Sequence, residues 1–333
     1  MLHALVLGLG RAGAGLHLRV LTKARATAPE LFHPGPVIGC DPAPGARQDL
    51  PGAITTDSLA AAAELLDPQR TVVHVCTPPT SRAAVLTRLA QHGFRRAIVE
   101  KPLATGTDDL REIDDLRRRH GLDLVVVSHW MAAELTERIT ALVRGGALGD
   151  LRSIRFTQDK PRFTRSAATH GHPTAFDVEL PHSLGVVLQL AGPAEVERAA
   201  CTDMHGPDAV LPAMGSAHLV LRHAGGVTSE LSSDLTAPVQ QRRIALELTG
   251  GEVTGHYPIS DQDDHAQLLV DGQRQVFRDD ALTRFVLRAY HHFQDPSPIE
   301  HPTLQVHREV VRLLAEAKQS CAAAAERSSS HAR

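Results

Sequence analysis

The first 128 residues alternate short apolar runs with longer amphipathic stretches. The apolar runs are continuous and lack the alternating polar positions of a half-exposed strand. Strands of this kind, separated by helices, predict βαβ units and a doubly wound parallel sheet covered by helices on both faces. The predicted strands are 4–7, 37–40, 71–76, 96–99 and 124–128, and the predicted helices lie near 11–27, 58–66, 81–92 and 107–120.

The pattern changes after residue 130. Helices are predicted near 132–145 and 181–191, with a strand at 152–158 between them. From 196 to 277, apolar and polar positions alternate in short runs, which is typical of antiparallel strands with one buried face. We therefore expect two domains of an α/β protein. The first is a parallel α/β domain over 1–128, and the second is an α+β domain over 129–333 that ends in a helix at about 303–325.

Composition excludes several classes of partner. The 35 Lys and Arg residues nearly balance the 38 Asp and Glu residues, so the formal net charge is −3. Binding to nucleic acid requires a concentrated positive face, and no apolar run approaches the ~18 residues that a membrane span requires. The four cysteines are far apart and show no metal-binding spacing. We expect a cytoplasmic protein without disulfides and without nucleic-acid or membrane partners.

A glycine-rich loop follows the first predicted strand and opens the first predicted helix. It reads Gly8-Leu-Gly10-Arg11-Ala12-Gly13. In this context Gly8 permits a tight turn, Gly10 lets the backbone approach a pyrophosphate, and Gly13 allows close packing of helix on strand. The start of the helix, at Arg11 and Ala12, offers N–H groups to the phosphates. The sequence therefore predicts a dinucleotide-binding Rossmann domain; the alternative is a glycine turn that binds nothing.

Asp41 comes directly after the second predicted strand. A carboxylate there accepts hydrogen bonds from the adenosine ribose hydroxyls and repels a 2′-phosphate, so it favours NAD over NADP. Arg47 is close enough in sequence to leave NADP open, and Asp41 could instead be a simple turn former before Pro42.

The segment Cys76-Thr77-Pro78-Pro79 ends the third predicted strand. Ligands bind at the carboxyl edge of such sheets. Thr77 and Pro78 therefore either form a stiff ledge beside the cofactor or an ordinary rigid turn.

Glu100-Lys101-Pro102 follows the next strand. Together with the glycine loop and the Cys-Thr-Pro-Pro segment, it makes the chain resemble the Gfo/Idh/MocA family (glucose–fructose oxidoreductase and inositol 2-dehydrogenase). The resemblance implies a Rossmann domain, a second domain with an open, mostly antiparallel sheet, and NAD(P)-linked redox chemistry on sugars or cyclitols. It also implies a homodimer or homotetramer.

The same resemblance places Glu100 and Lys101 among the cofactor-binding residues and gives Lys101 a catalytic role as well. The family's lysine at this position lies beside the nicotinamide and contacts the reacting oxygen, and an ammonium there stabilises a developing alkoxide. Without the resemblance, Lys101 would be interpreted as a surface lysine paired with Glu100.

A second family signature places an Asp four residues before a His that opens a helix. His182 matches, but Val178 occupies the position of the Asp, and carboxylates occur instead at Asp177 and Glu179. Pro181 is expected at the first position of the helix, so His182 would lie in the first turn, where the helix dipole disfavours imidazolium. We expect His182 to be the general base, oriented by Glu179 or, less directly, by Asp177.

The polar loop before this helix carries further candidates. His170 and His172 lack the spacing of a metal site, so we expect no bound metal. Lys160, Arg162 and Arg165 either bind a phosphate or carboxylate of the substrate or are solvated loop residues.

These observations lead to one main hypothesis and two alternatives. The main hypothesis is an NAD-dependent dehydrogenase that oxidises, or forms by reduction, a secondary alcohol of a sugar, amino sugar or cyclitol. The partner is thus a small polyhydroxylated molecule. The alternatives are redox-assisted glycoside hydrolysis with NAD retained, and a non-catalytic dinucleotide sensor or scaffold.

Overall fold

The structure, a computed structural model, describes residues 1–48, 50–168, 172–207, 209–260, 263–294 and 301–331. The chain forms two compact units, Met1–His129 with Leu282–Arg308, and Trp130–Ala281 with Glu309–Arg333. The sequence pattern predicted a continuous second domain over 129–333. The structure instead groups residues 282–308 with the first unit.

The first unit contains a six-stranded parallel sheet of order β3-β2-β1-β4-β5-β6. All residues of β4 are buried, which explains its uninterrupted apolar sequence. The doubly wound α/β prediction is confirmed, although β3 was missed because this edge strand is short and half-exposed. The strands are β1 (His3–Leu7), β2 (Val37–Cys40), β3 (Ala53–Thr56), β4 (Thr71–Val75), β5 (Arg96–Val99) and β6 (Asp123–Val126).

The helices between these strands bury one apolar face each. In α4, the buried residues Leu110, Ile113 and Leu116 recur every three positions, and Gly121 ends the helix in the left-handed region at φ 62°. The first helical segment starts as a π-helical stretch, Gly13–Leu18. It continues as α1 (Arg19–Thr27), and the other helices are α2 (Leu59–Glu64), α3 (Arg82–Gln91) and α4 (Thr107–His120).

The second unit contains an eight-stranded sheet of order β16-β15-β14-β13-β7-β12-β11-β8. Neighbouring strands are antiparallel except β7 and β12, which run parallel, so the sheet is mostly antiparallel as expected. Its strands are β7 (Leu151–Asp159), β8 (Ala194–Cys201), β11 (Ser216–His223), β12 (Thr228–Asp234), β13 (Gln241–Leu248), β14 (Gly251–His256), β15 (His265–Val270) and β16 (Gln273–Arg278). Strands β9 (Met204–His205) and β10 (Val210–Leu211) form a separate two-stranded sheet.

Helices pack on this sheet through side chains that approach the backbone closely. A Cβ added to Gly255 in β14 would lie 3.1 Å from side-chain atoms of both Leu135 and Ile139. A glycine inside this strand therefore lets α5 approach the sheet. The helices of the second unit are α5 (Glu134–Gly145), α6 (Phe163–Ala168), α7 (Ala175–Val178) and α8 (Leu180–Ala191). The remaining helices of the chain are α9 (Ala281–Gln294) and α10 (Pro302–His331).

Residues 282–294 and 301–308 contact the first unit through several side chains. Thr303 Oγ1 accepts a hydrogen bond from the Val126 N–H at 3.2 Å, and the Arg308 guanidinium bonds the Asp114 carboxylate at 2.6 Å. The Phe32 and Tyr290 rings lie 4.2 Å apart. Helix α9, which the sequence analysis missed, and the start of α10 are thus built into the first unit.

Candidate functional site

The three glycines of the glycine loop have different surroundings, so different reasons explain why each position holds a glycine. Gly8 has φ 90°, and a Cβ there would lie 3.1 Å from the Thr77 backbone nitrogen. A Cβ at Gly13 would lie 1.9 Å from the Gly8 carbonyl oxygen. At Gly10, by contrast, a Cβ would meet no atom within 4 Å. Packing of the chain explains Gly8 and Gly13, whereas Gly10 leaves room for something outside the chain.

The start of the helix adds hydrogen-bond donors to this loop. The Ala14 N–H bonds the Gly10 carbonyl at 2.8 Å, so the N–H groups of Arg11 and Ala12 precede the first helical hydrogen bond. Such groups, with the positive end of the helix dipole, bind phosphate. The residues present therefore fit the pyrophosphate of a dinucleotide.

Asp41 is held by the glycine loop itself. Its Oδ2 accepts a hydrogen bond from the Leu9 N–H at 2.8 Å, and its Oδ1 accepts one from the Ala43 N–H at 2.9 Å. The Arg47 guanidinium donates to the carbonyl oxygens of Asp41 and Pro42 at 2.7 and 3.0 Å. A carboxylate and a guanidinium thus lie side by side where the ribose of the adenosine would bind.

Arg82, which the sequence analysis did not identify, joins the loops after β4 and β5. It is 1% exposed, and it donates to the carbonyl oxygens of Glu100 at 2.6 Å and Thr77 at 3.3 Å. Burial lowers the pKa of Arg82 to about 10, so it stays charged at neutral pH. Arg82 therefore fixes the Thr77-Pro78 ledge to the Glu100-Lys101 segment.

Glu100 begins a buried chain of hydrogen bonds that the sequence analysis also missed. Its Oε1 lies 3.0 Å from His17 Nε2, and His17 Nδ1 lies 2.7 Å from His74 Nδ1. His74 Nε2 then lies 3.1 Å from the Tyr290 hydroxyl. Both histidines and the tyrosine are fully buried. The only sequence signals were a histidine after the glycine loop and a histidine among valines in β4.

The charges along this chain follow from its contacts. Burial alone would lower the pKa of His17, but Cys76 and Glu100 outweigh burial and raise the pKa to about 10. Burial would raise the pKa of Glu100, yet His17, assisted by Lys101, lowers it to about 2. Burial and the charge of His17 keep the pKa of His74 well below its usual value. His17 is therefore an imidazolium that donates to both Glu100 and a neutral His74.

Lys101 lies two residues beyond the end of β5, half-buried at the carboxyl edge of the parallel sheet. Its peptide bond to Pro102 is cis. The neighbouring Glu100 carboxylate is already paired with the His17 imidazolium. Glu100 thus has His17 as an ion-pair partner, and the role of Lys101 stays a prediction.

The second unit carries the other predicted residues. Asp177 caps α7 through Thr174, whose hydroxyl donates to it at 2.7 Å, and it pairs with Lys318 at 2.9 Å. Glu179 pairs with Lys160 and accepts a hydrogen bond from Gln158. Each carboxylate thus has a lysine partner, and the orientation of His182 by either one stays a prediction.

His182 lies in the first turn of α8, and Pro181 occupies the second position of that helix, one residue later than predicted. The His182 ring lies 5.2 Å from the Trp130 ring. Trp130 in turn stacks on Tyr257 at 4.8 Å and on Phe156 at 5.5 Å. An aromatic wall therefore supports one side of the histidine.

The remaining loop candidates have more ordinary surroundings. Arg162 is 5% exposed and donates a hydrogen bond to the Ser166 hydroxyl at 3.0 Å, so it contacts the first turn of the helix α6 that follows it. His170 lies outside the described residues. Within the described ranges, no group of three or more His, Cys, Asp or Glu residues could hold a metal ion. No helix among these residues is long and apolar enough to cross a membrane.

The comparison with known families supports the first unit's assignment. Residues 2–129 match the family model described as an oxidoreductase family with an NAD-binding Rossmann fold, Gfo/Idh/MocA. The N-terminal part of the chain is therefore similar to the Gfo/Idh/MocA family. This confirms the resemblance inferred from the motifs. No curated protein matches the sequence.

Solved structures match over nearly the whole chain. The 3-ketoreductase KijD10 from Actinomadura kijaniata, in complex with TDP-benzene and NADP, has a TM-score of 0.76 at 14% identity and covers 96% of this chain and 98% of its own. The UDP-N-acetylglucosamine 3-dehydrogenase GnnA from Acidithiobacillus ferrooxidans has a TM-score of 0.72 at 16% identity and covers 97% and 99%. An oxidoreductase from Thermotoga maritima has a TM-score of 0.78 at 14% identity and covers 96% of each chain. These similarities establish the fold.

Proposed function

We propose that this protein is an NAD-dependent dehydrogenase acting on a secondary alcohol, or the matching ketone, of a sugar, amino sugar or cyclitol. The observation that carries the proposal is the open space at Gly10, in a loop whose other two glycines are accounted for by packing. A glycine at an open position with donors beside it is suited to a pyrophosphate. The family assignment of residues 2–129 supports the same cofactor class.

The chemistry divides between the cofactor and the chain. The bound nicotinamide supplies a hydride acceptor or donor. Lys101 binds the substrate oxygen and stabilises negative charge as it develops there. His182 removes the hydroxyl proton in oxidation and returns it in reduction. Trp130 lies against the His182 ring and limits the orientations that the imidazole can adopt.

Asp41 supports NAD as the cofactor. Its carboxylate is fixed in place by two backbone N–H groups and can still accept hydrogen bonds from ribose hydroxyls. Arg47 supports some use of NADP, because a guanidinium binds phosphate well. KijD10 binds NADP. We therefore propose a preference for NAD with measurable activity on NADP.

The substrate class is supported by the named activities of the similar structures, a 3-ketoreductase and a UDP-N-acetylglucosamine 3-dehydrogenase. A homodimer or homotetramer in the cytoplasm fits this proposal. The four cysteines are free, which suits a reducing compartment.

The test is reduction of NAD⁺ and NADP⁺, followed by nicotinamide absorbance, against sugars, amino sugars, inositols and their phosphates. Lys101→Met should lower kcat by roughly 10²–10⁴ and leave the Kd for NADH within a few-fold. Lys23→Met on the exposed side of α1 is the matched control and should behave as wild type. Near-normal turnover by Lys101→Met would exclude the assigned role.

One observation favours a second candidate, the non-catalytic dinucleotide sensor. The family's Asp is replaced by the buried Val178, and the nearby carboxylates Asp177 and Glu179 each pair with a lysine. Tight NADH binding with no turnover on any panel member would support the sensor. Release of NADH distinguishes the dehydrogenase from the redox-assisted glycoside hydrolase, since the hydrolase retains its cofactor and releases no NADH.

A further inference from the structure

His307, in the first unit's part of α10, has one ring nitrogen with a partner and one without. Its Nε2 lies 2.7 Å from the Ser128 hydroxyl oxygen. The residue is 1% exposed, and its Nδ1 is shielded from water and has no hydrogen-bond partner within the described part of the chain. A buried polar atom without a partner costs free energy, so such atoms often have a functional reason.

The hydrogen bonds of Ser128 determine which nitrogen of His307 carries the proton. The Ser128 hydroxyl donates its single proton to the Val126 carbonyl at 2.8 Å. Its oxygen must therefore accept from His307, so the proton is on Nε2 and Nδ1 presents a lone pair. Burial, together with the Lys101 ammonium, lowers the pKa of His307 to about 3. The ring is thus a neutral hydrogen-bond acceptor throughout the physiological pH range.

The register of the parallel sheet places this acceptor beside Lys101. Val99 of β5 pairs with Val126 of β6, and the Val127 N–H donates to the Val99 carbonyl at 2.9 Å. Lys101 and Ser128 each lie two residues beyond that pair, in the segments that follow two neighbouring strands spaced by about 4.8 Å. His307, bonded to Ser128, therefore lies at the same carboxyl edge as the lysine.

We propose that His307 is a positioning residue for Lys101, whose side chain turns so that its ammonium donates a hydrogen bond to His307 Nδ1, an atom without a partner among the described residues. The proposal rests on the dehydrogenase function and adds a residue from a distant part of the chain to its site. Because Nδ1 is shielded from water, its donor has to be a protein group, and a lysine side chain is long and flexible enough to reach it. A neutral acceptor orients the ammonium without cancelling the charge that the substrate oxygen requires. The Glu100 carboxylate, which could cancel that charge, is paired with His17.

Two isosteric variants separate positioning from a structural role. In His307→Gln, the amide nitrogen replaces Nε2 and keeps the bond to Ser128, but the Nδ1 acceptor is lost. In His307→Asn, the amide oxygen replaces Nδ1 and the bond to Ser128 is lost. We expect His307→Gln to lower kcat tenfold or more with little change in KM, NADH affinity or Tm, and His307→Asn to retain a larger share of kcat at lower Tm. The reverse order of kcat would overturn the proposal.

A second measurement does not depend on turnover. Reductive methylation of Lys101 in the cofactor-free protein, followed by mass spectrometry across pH, reports the fraction of uncharged amine. An acceptor favours the ammonium, so the labelling midpoint should move to lower pH in His307→Gln than in wild type. Identical midpoints would overturn the proposal. Turnover by the wild type on the alcohol panel tests the dehydrogenase function separately.

Discussion

Replacing Gly10 by alanine separates the binding role of the glycine loop from its folding role. Gly10 has φ outside the left-handed region, so alanine fits the backbone, and the added methyl meets no atom of the chain within 4 Å. Restricting the unfolded chain should stabilise the protein by about 0.4–1 kcal/mol. The same methyl would occupy space needed by the pyrophosphate. Overpacking of this kind costs about 1–3 kcal/mol, which corresponds to roughly 5- to 150-fold weaker binding.

The assay is titration of NADH by fluorescence together with thermal unfolding of the free protein. Gly10→Ala should weaken the binding of NADH by roughly 5- to 150-fold and leave Tm unchanged or raised by ~1–4 °C. Gly15→Ala is the matched control, because its methyl would meet only the Arg11 side chain at 3.8 Å. Gly13→Ala should lower Tm, since its methyl would lie 1.9 Å from a backbone oxygen. Unchanged NADH affinity in a folded Gly10→Ala protein would refute the placement of the pyrophosphate.

Three further predictions follow from the electrostatics of the first unit. Asp41→Ser should weaken the binding of NADH several-fold and reduce the difference in affinity between NADH and NADPH. An unchanged ratio of the two Kd values would contradict the role of the carboxylate. His301 and His307 have pKa values lowered by burial to about 4 and 3, so the unfolded chain binds protons that the folded chain excludes. Urea unfolding should therefore show stability falling from pH 6.5 towards pH 4, by up to about 1 kcal/mol per pH unit for each histidine. The pKa of His17 is raised to about 10, so its contribution is complete below pH 6.5 and is lost as the pH rises to 10. His17→Gln should abolish that alkaline decline, and a decline of wild-type size would exclude the His17–Glu100 ion pair as its cause.

The sequence predicted an element well where the residues of that element alone show a clear apolar run or a clear helical periodicity. The continuous apolar runs of β2 and β5 were predicted with the bounds that the structure shows, and α4 was predicted at 107–120. Strand β3 was missed because it is a half-exposed edge of four residues without a strong pattern. The parallel pairing of β7 with β12 was not predicted, because alternation shows that a strand has one buried face but not the direction of its neighbour.

The candidate site shows the same division. The motifs predicted the glycine loop as a phosphate site, because a turn that accommodates a phosphate needs particular residues at particular spacings. The roles of Asp41 and Lys101 also come from motifs and stay predictions. No motif pointed to Arg82, because a single arginine in the first turn of a helix is usually an ordinary surface residue. Its buried guanidinium is satisfied by the carbonyl oxygens of Thr77 and Glu100, which follow two different strands.

The sequence by itself determined most strands and helices of the parallel α/β unit and the place of the glycine loop between β1 and the first helix, since these depend on residues close together in the chain. Only the tertiary structure decided which ionisable side chains are buried together. His74 and Tyr290 are separated by 216 positions, and Ser128 and His307 by 179. Whether a histidine is charged depends on such partners, because burial penalises its charge unless another group compensates. Local periodicity carries no information about partners that far away.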